Sequence, residues 1–233
     1  MSNRIETIKK AIGKYAAALV PPQGRIGLGS GTTSSAFIEA LGERYRQEKL
    51  QIICLATSNA TKALAQAKGL PLMEETSWDG FLDITFDGAD FLREDGSAIK
   101  GAGGALLREK IVARASKKLI LMVDERKWDR TSYPLLPVEI VPFGEQATLI
   151  ELSRFGYKGI LRKGKNGPVV SDDGHWIVDI EVDLAVGSWK SVDESLKSIP
   201  GVVETGIFFK MAHEAVIGFL NGEIVHKRFE SKI

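Results

Sequence analysis

Gly27-Leu28-Gly29-Ser30-Gly31-Thr32-Thr33-Ser34-Ser35 continues the apolar run that begins at Arg25-Ile26 and opens a helical pattern reaching to about residue 46. The apolar run predicts a buried strand, the glycines a tight turn, and the hydroxyl residues the capped start of a helix. A strand feeding a helix through so short a turn is half of a βαβ unit, which points to a parallel sheet flanked by helices.

The same alternation recurs outward as far as Asp124. Further strands are predicted over 51–56, 82–86 and 119–123, and helices over 33–46, 60–68 and 105–117, with another over about 5–18 in front. Near Tyr133-Pro134-Leu135-Leu136-Pro137 the pattern breaks, because two prolines frame a link that no regular helix continues through. Beyond it come an extended piece over 138–142, a helix over 147–155, and two strands separated by the hairpin-turn signal Ser171-Asp172-Asp173-Gly174. Strand, helix, strand, strand makes a small α+β unit. A helix over 193–198, the link Pro200-Gly201-Val202-Val203 and apolar segments over 206–209 and 215–220 are expected to rejoin the first sheet. The organisation is therefore a first domain over 1–133, completed by about 201–233, and a small domain over 134–200.

Composition agrees with a globular chain: 233 residues, 44% hydrophobic and 26% charged. Thirty-one basic against 30 acidic side chains leave a net charge of +1 and no field to hold a polyanion, so small ligands or protein partners are expected and nucleic acid is not. Trp78, Trp128, Trp176 and Trp189 are too dispersed to form a stacking platform. The lone Cys54 sits in the run Ile52-Ile53-Cys54-Leu55 as a buried thiol suited to a reducing compartment, and no segment reads as a signal peptide or membrane span. A cytoplasmic location is expected.

In an open parallel sheet, ligands bind beyond the carboxyl ends of the strands. After the first strand, the Gly29 to Thr33 loop can converge backbone amides at a helix start and cradle a phosphate, although it matches neither a Walker loop nor G-x-G-x-x-G. A plain glycine turn with an N-cap fits the spacing too. After the second stands Thr57-Ser58-Asn59, which capping alone explains. After the third stands Asp87-Gly88-Ala89-Asp90, acids that can orient sugar hydroxyls or move protons, or simply make a turn. Lys100-Gly101-Ala102-Gly103-Gly104-Ala105-Leu106-Leu107-Arg108-Glu109-Lys110 follows. A continuous helix would part Lys100 from Glu109 by roughly 13 Å, but three glycines make the first part a loop that can fold back. A helical Glu109 would face Ala105, Leu106, Val112 and Ala113, an apolar setting that raises a carboxyl toward a working base; the same count serves Arg108 nearly as well, and a solvated face stays open. Lys127 follows the fourth strand. His175, His213 and His226 are scattered without ligand spacing, so no metal site is expected, and Gly29-Ser30-Gly31 is no nucleophile elbow.

These segments, together with Ile199-Pro200-Gly201-Val202-Val203-Glu204-Thr205-Gly206, resemble the type A ribose-5-phosphate isomerases over nearly the whole chain. The resemblance implies a Rossmann-like parallel-sheet domain with a smaller ferredoxin-like α+β domain, a homo-oligomer, and no cofactor. It implies interconversion of ribose 5-phosphate and ribulose 5-phosphate through an enediolate, in the non-oxidative pentose phosphate pathway. By motif, Ser30, Gly31, Thr32 and Thr33 would bind the substrate and its phosphate with Lys127 nearby, Glu109 would be the general base, and Asp87, Asp90 and Lys100 its partners. Two positions depart from the family pattern: Phe91 stands where an acid usually follows Asp-Gly-Ala-Asp, and Ala102 where a glycine is common. Two other classes share the architecture. Sugar-phosphate-sensing regulators would carry a helix-turn-helix ahead of the first strand, where none is read, and amino-sugar phosphate deaminases or acyl-CoA transferases would lack the Lys100 to Glu109 motif.

Overall fold

Apolar runs such as Ile26 to Leu28 and Leu119 to Val123 can be satisfied only by burial on both faces, and helices over the first and second faces of one sheet supply it. The computed structural model describes residues 2–130, 133–184 and 188–230. The remaining residues 1, 131–132, 185–187 and 231–233, which fall within the domain spans expected above, lie outside the described residues. In chain order the first part holds α1 (Ser2–Ala18), β1 (Gln23–Leu28), α2 (Thr32–Glu48), β2 (Gln51–Ala56), α3 (Asn59–Ala67), β3 (Leu82–Gly88), β4 (Phe91–Leu92), β5 (Ala98–Ile99), α4 (Leu106–Arg114) and β6 (Ser116–Asp124). Then come β7 (Leu136–Ile140), α5 (Glu145–Arg154), β8 (Lys158–Leu161), β9 (Lys163–Gly164), β10 (Gly167–Pro168), β11 (Trp176–Glu181), α6 (Trp189–Lys197), β12 (Val202–Thr205), β13 (Ile207–Phe208), β14 (Glu214–Gly218) and β15 (Ile224–Arg228).

The main sheet runs β15-β14-β6-β3-β1-β2, parallel except for β15, which turns back antiparallel on β14. Register places Leu28 beside Ala56 and Phe86, and Asp87 beside Leu121, so the carboxyl ends of four strands share one edge. On one face α1 and α2 bury Ile12, Phe37 and Leu41 against Ile26 and Phe86, with the Phe37 and Phe86 rings stacked at 4.7 Å. Burying a side chain such as Phe37 stabilises by about 1.5–3 kcal/mol. The opposite face packs Leu119, Leu121 and Ala215 against Phe208.

Helix α4 ends sooner than the expected 105–117 span. Ser116 starts β6 instead, because its hydroxyl folds back on Val112 O at 2.7 Å while its backbone lies in register with Leu82 of β3. Lys117 and Lys118 carry no apolar marker that would have shown the switch from helix to strand.

A second sheet, β12-β7-β11-β8, is antiparallel throughout and buries Leu136, Val138, Ile140, Val178 and Ile180 beneath α5 and α6. The Ser171 to Gly174 turn forms, with Gly174 at φ 81°, but it does not join two full strands. Only the isolated bridge Val170 to Trp176 lies across it, since β11 takes β7 and β8 as neighbours and Pro168 cannot donate to a longer ladder. Two C-terminal segments also part company. Val202–Thr205 pairs with β7, and Ile207–Phe208 pairs with β5 in a small sheet β13-β5-β4, so the return to the main sheet starts only at β14.

Candidate active site

At the end of β3 the Asp87 carboxylate is buried, and its Oδ1 accepts from Ser30 N at 3.0 Å, Gly88 N at 2.7 Å and the Ser34 hydroxyl at 3.4 Å. One acid thus ties the β1 to α2 loop to the neighbouring strand end. Gly31, at φ 88°, turns the chain into α2, and no side chain caps that helix. The amides of its first turn are therefore free donors carrying the positive end of the helix dipole, where an anion is favoured. Ser30 Oγ lies 2.8 Å from Thr57 Oγ1, and Lys9 Nζ donates to the Thr32 hydroxyl at 2.7 Å.

Lys100 follows β5, its own amide donating to Gly206 O at 2.9 Å. Beyond it Gly101 and Gly104, at φ 107° and 78°, fold the chain back, and α4 starts only at Leu106. The span that would separate Lys100 from Glu109 in a helix is collapsed: Lys100 Nζ stands 3.1 Å from Glu109 Oε2, 3.0 Å from Asp87 Oδ2, and donates to Gly88 O at 2.6 Å. All three side chains are buried. Glu109 Oε2 makes no hydrogen bond, the ammonium being close but not aligned with it. Burial first, then the Asp87 charge, push the Glu109 carboxyl up to about 8 against the opposing pull of Lys100. Burial raises Asp87 as well. Burial also works against the Lys100 ammonium, but Asp87 and Glu109 outweigh it and hold the amine above its ordinary value. Arg108, the neighbour that periodicity left equivalent, turns outward to a bidentate pair with Asp173 at 2.8 Å.

Asp90 accepts from Ala102 N at 2.8 Å and stands 3.7 Å from Lys127 Nζ, which itself donates to Ala89 O at 2.8 Å. Ser30, Gly31, Thr32, Thr33, Asp90, Lys100, Glu109 and Lys127 line one cavity of about 70 Å³, and Asp87 lies directly behind it on Lys100. The cavity continues past Ser30 to Thr32 and Gly103 into a hollow of about 390 Å³ bounded by Val170 to Asp172. A larger groove, about 650 Å³, lies between α1 and α2 but holds only ordinary surface charges such as Lys10, Glu43 and Arg44. Among the described residues no group of three or more His, Cys, Asp or Glu is placed to hold a metal ion.

The two departures from the family pattern fall in different places. Phe91 points away from the cleft, 1% exposed, against Tyr133 and Trp189 at centroid distances of 5.0 and 6.1 Å. Ala102 keeps a backbone that any residue adopts and an exposed side chain, so its methyl costs the loop nothing. Three contributors escape the sequence. Lys9 sits on a helix surface with no motif around it, Ser34 is hidden within a run of hydroxyls, and Gly206 acts through its carbonyl, to which no side-chain pattern points.

The family model for ribose 5-phosphate isomerase A (phosphoriboisomerase A) matches residues 53–222. Ribose-5-phosphate isomerase A 1 of Oceanobacillus iheyensis is 39% identical over 217 residues, 93% of this chain and 96% of that protein. The Bacillus mycoides ribose-5-phosphate isomerase A is 41% identical over 217 residues, 92% and 97% of the two chains. Among solved structures, ribose 5-phosphate isomerase A from Methanocaldococcus jannaschii superposes with a TM-score of 0.88 at 33% identity, over 96% of this chain and 99% of that one. A D-ribose-5-phosphate isomerase in complex with phospho-erythronic acid superposes equally, TM-score 0.88 at 34% identity, over 96% and 98%. Fold and sequence together make this chain an isomerase. It belongs to the ribose 5-phosphate isomerase A family.

Proposed function

We propose that the protein interconverts D-ribose 5-phosphate and D-ribulose 5-phosphate with Glu109 as the base that carries the proton. The phosphate binds at the first turn of α2, held by the amides and hydroxyls of Ser30 to Thr33 with Lys127 across the cavity. The open-chain sugar then reaches toward Lys100 and Glu109. Glu109 removes the proton from the carbon beside the carbonyl and returns it to the adjacent carbon, while the Lys100 ammonium stabilises the oxyanion that develops between them. Asp87 holds that ammonium charged and in place. Asp90 sits where it can hold sugar hydroxyls and assist ring opening. The observation that carries the reading is Glu109: a buried carboxyl on the wall of the cavity, its Oε2 3.1 Å from the Lys100 ammonium.

Turnover of ribose 5-phosphate by chelator-treated protein, followed in a coupled assay, tests it. Tight binding without turnover would instead make this a sensing module.

We infer further that the protein acts in the cytoplasm on a small sugar phosphate as a homo-oligomer, with the small unit expected over 134–200, whose sheet takes in β12 as well, serving assembly. The lone buried Cys54 fits a reducing compartment. Phe143 at 92% exposed and Ile160 at 72%, with Ile150 and Phe155 half exposed, give that region more open apolar surface than the main sheet shows. No described helix is long and apolar enough to cross a membrane.

A further inference from the structure

Between Lys100 and Glu109 runs a loop, Gly101-Ala102-Gly103-Gly104, that three glycines leave with little conformation of its own. It nevertheless forms one wall of the cavity, through Gly101, Ala102 and Gly103. What holds it comes from the second sheet. Arg162, just after β8, extends one guanidinium nitrogen, Nη1, to Gly101 O and to Ala102 O, each at 2.9 Å. The other guanidinium groups, Nε and Nη2, engage the Asp179 carboxylate of β11 in a bidentate pair, with Nε at 2.7 Å. Both side chains are only 18% exposed. Arg162 is fixed in turn by its backbone, which donates to Ile177 O and accepts from Val169 N, both at 2.8 Å.

We infer that Arg162 is a positioning residue for the isomerisation, setting the glycine loop so that the Ala102 amide holds Asp90 and the Gly103 amide faces the substrate. The argument follows from the planar trans peptide, in which C=O and N–H point in opposite directions. With Gly101 O turned to Arg162, the Ala102 amide must point the other way, and it does, donating to the cavity-lining Asp90 at 2.8 Å. With Ala102 O on the same nitrogen, the Gly103 amide is likewise turned from Arg162. Gly104 N is spent on Gly101 O at 3.0 Å, whereas the Gly103 amide has no acceptor among the described residues. It is a free donor for a sugar oxygen. Arg rather than Lys is required, because an ammonium cannot serve two carbonyls and a bidentate carboxylate from one plane.

This inference rests on the isomerase reading, and its test separates the two. Arg162→Met keeps the apolar stem and removes the fork. Wild type and variant are compared for turnover of ribose 5-phosphate and, by calorimetry, for binding of phospho-erythronic acid. Losing the Gly103 donor, and with it the Ala102 hold on Asp90, should raise both KM and the dissociation constant about tenfold. The turnover number should fall less than about threefold, since Lys100 is held by Asp87 and Gly88, and Glu109 by its place in α4, rather than by the loop. A purely structural Arg162 would lower the melting temperature and leave both constants within twofold of wild type, which would overturn the proposal. If Arg162→Met does not fold, Arg162→Lys, which keeps a cation beside Asp179, decides by the same constants: a rise of about threefold or more supports the role and no rise refutes it. Inactive wild-type protein would sink the isomerase reading while the binding comparison still judged Arg162.

Discussion

Gly29 approaches Asp87 so closely that a β-carbon on Gly29 would lie 2.0 Å from Asp87 Oδ1. The backbone of Gly29 is not in the left-handed region, so only the missing side chain matters at this position. Gly29→Ala would force the Asp87 carboxylate off Ser30 N and out of line with Lys100. Such overpacking costs about 1–3 kcal/mol, and the loss of turnover should be larger than that cost explains. Thermal melts and steady-state kinetics on the same preparation check this; full activity in a folded Gly29→Ala protein would detach Asp87 from the reaction.

Replacing Glu109 by Gln keeps volume but removes the basic oxygen. Turnover should fall by about 10²–10⁴, the usual worth of a positioned base, with KM little changed. A folded Glu109→Gln protein that keeps more than about a tenth of wild-type turnover would move the base elsewhere, with Asp87 the next choice.

The Glu109 carboxyl must be ionised to accept a proton, so kcat/KM should rise with pH through a midpoint near 8, a value belonging to the coupled Asp87, Lys100 and Glu109 group. Because the Asp87 charge is one of the causes that raise Glu109, Asp87→Asn should move that limb to lower pH even as it lowers the rate. Stability carries the same sign. A carboxyl raised from 4.5 to about 8 on folding binds its proton more tightly in the native state, so this group's contribution to stability diminishes as pH climbs from about 4.5 to 8. A pH-independent kcat/KM between 6 and about 9 would contradict the assignment.

In the uncapped first turn of α2, Thr33 is buried to 6% exposure. Thr33→Val removes a hydroxyl and little volume, and should raise KM by up to about tenfold with a smaller effect on turnover. An unaltered KM would place the phosphate outside the Ser30 to Thr33 loop.

Light scattering at micromolar concentration should give a mass above that of one chain. Ile160→Glu, which puts a charge on the exposed apolar part of the second sheet, should shift the distribution toward the monomer. A wild-type monomer, or an assembly indifferent to Ile160→Glu, would remove the second sheet from that role.

Much of this site can be read before any coordinates exist, because parallel strands must end on a common edge. Ser30, Asp87 and Lys127 each follow a buried apolar run, so topology alone gathers them. Lys100 and Glu109 are harder: the three glycines announce a bend but not its direction, and Glu109 and Arg108 share nearly the same helical surroundings. What separates them is Asp173, more than sixty residues later, which claims Arg108 for the second sheet. The misplaced elements share a cause. Ser116, Val202 and Ile207 take their conformation from partners remote in the chain rather than from local periodicity, and the turn at Ser171 to Gly174 forms by its own chemistry while the strand before it does not.

The pairing of β14 with β6, and the Gly206 carbonyl that holds the Lys100 amide, bind the cavity to the last thirty or so residues of the chain. A chain emerging from the ribosome therefore carries Glu109, Lys100 and the Ser30 to Thr33 loop long before it can set them against one another. Until β14 arrives, β6 exposes a long apolar edge, open to pairing with another nascent chain. Loss of β14 should thus yield aggregation rather than a weakened enzyme, and activity should arise only once β14 has joined β6.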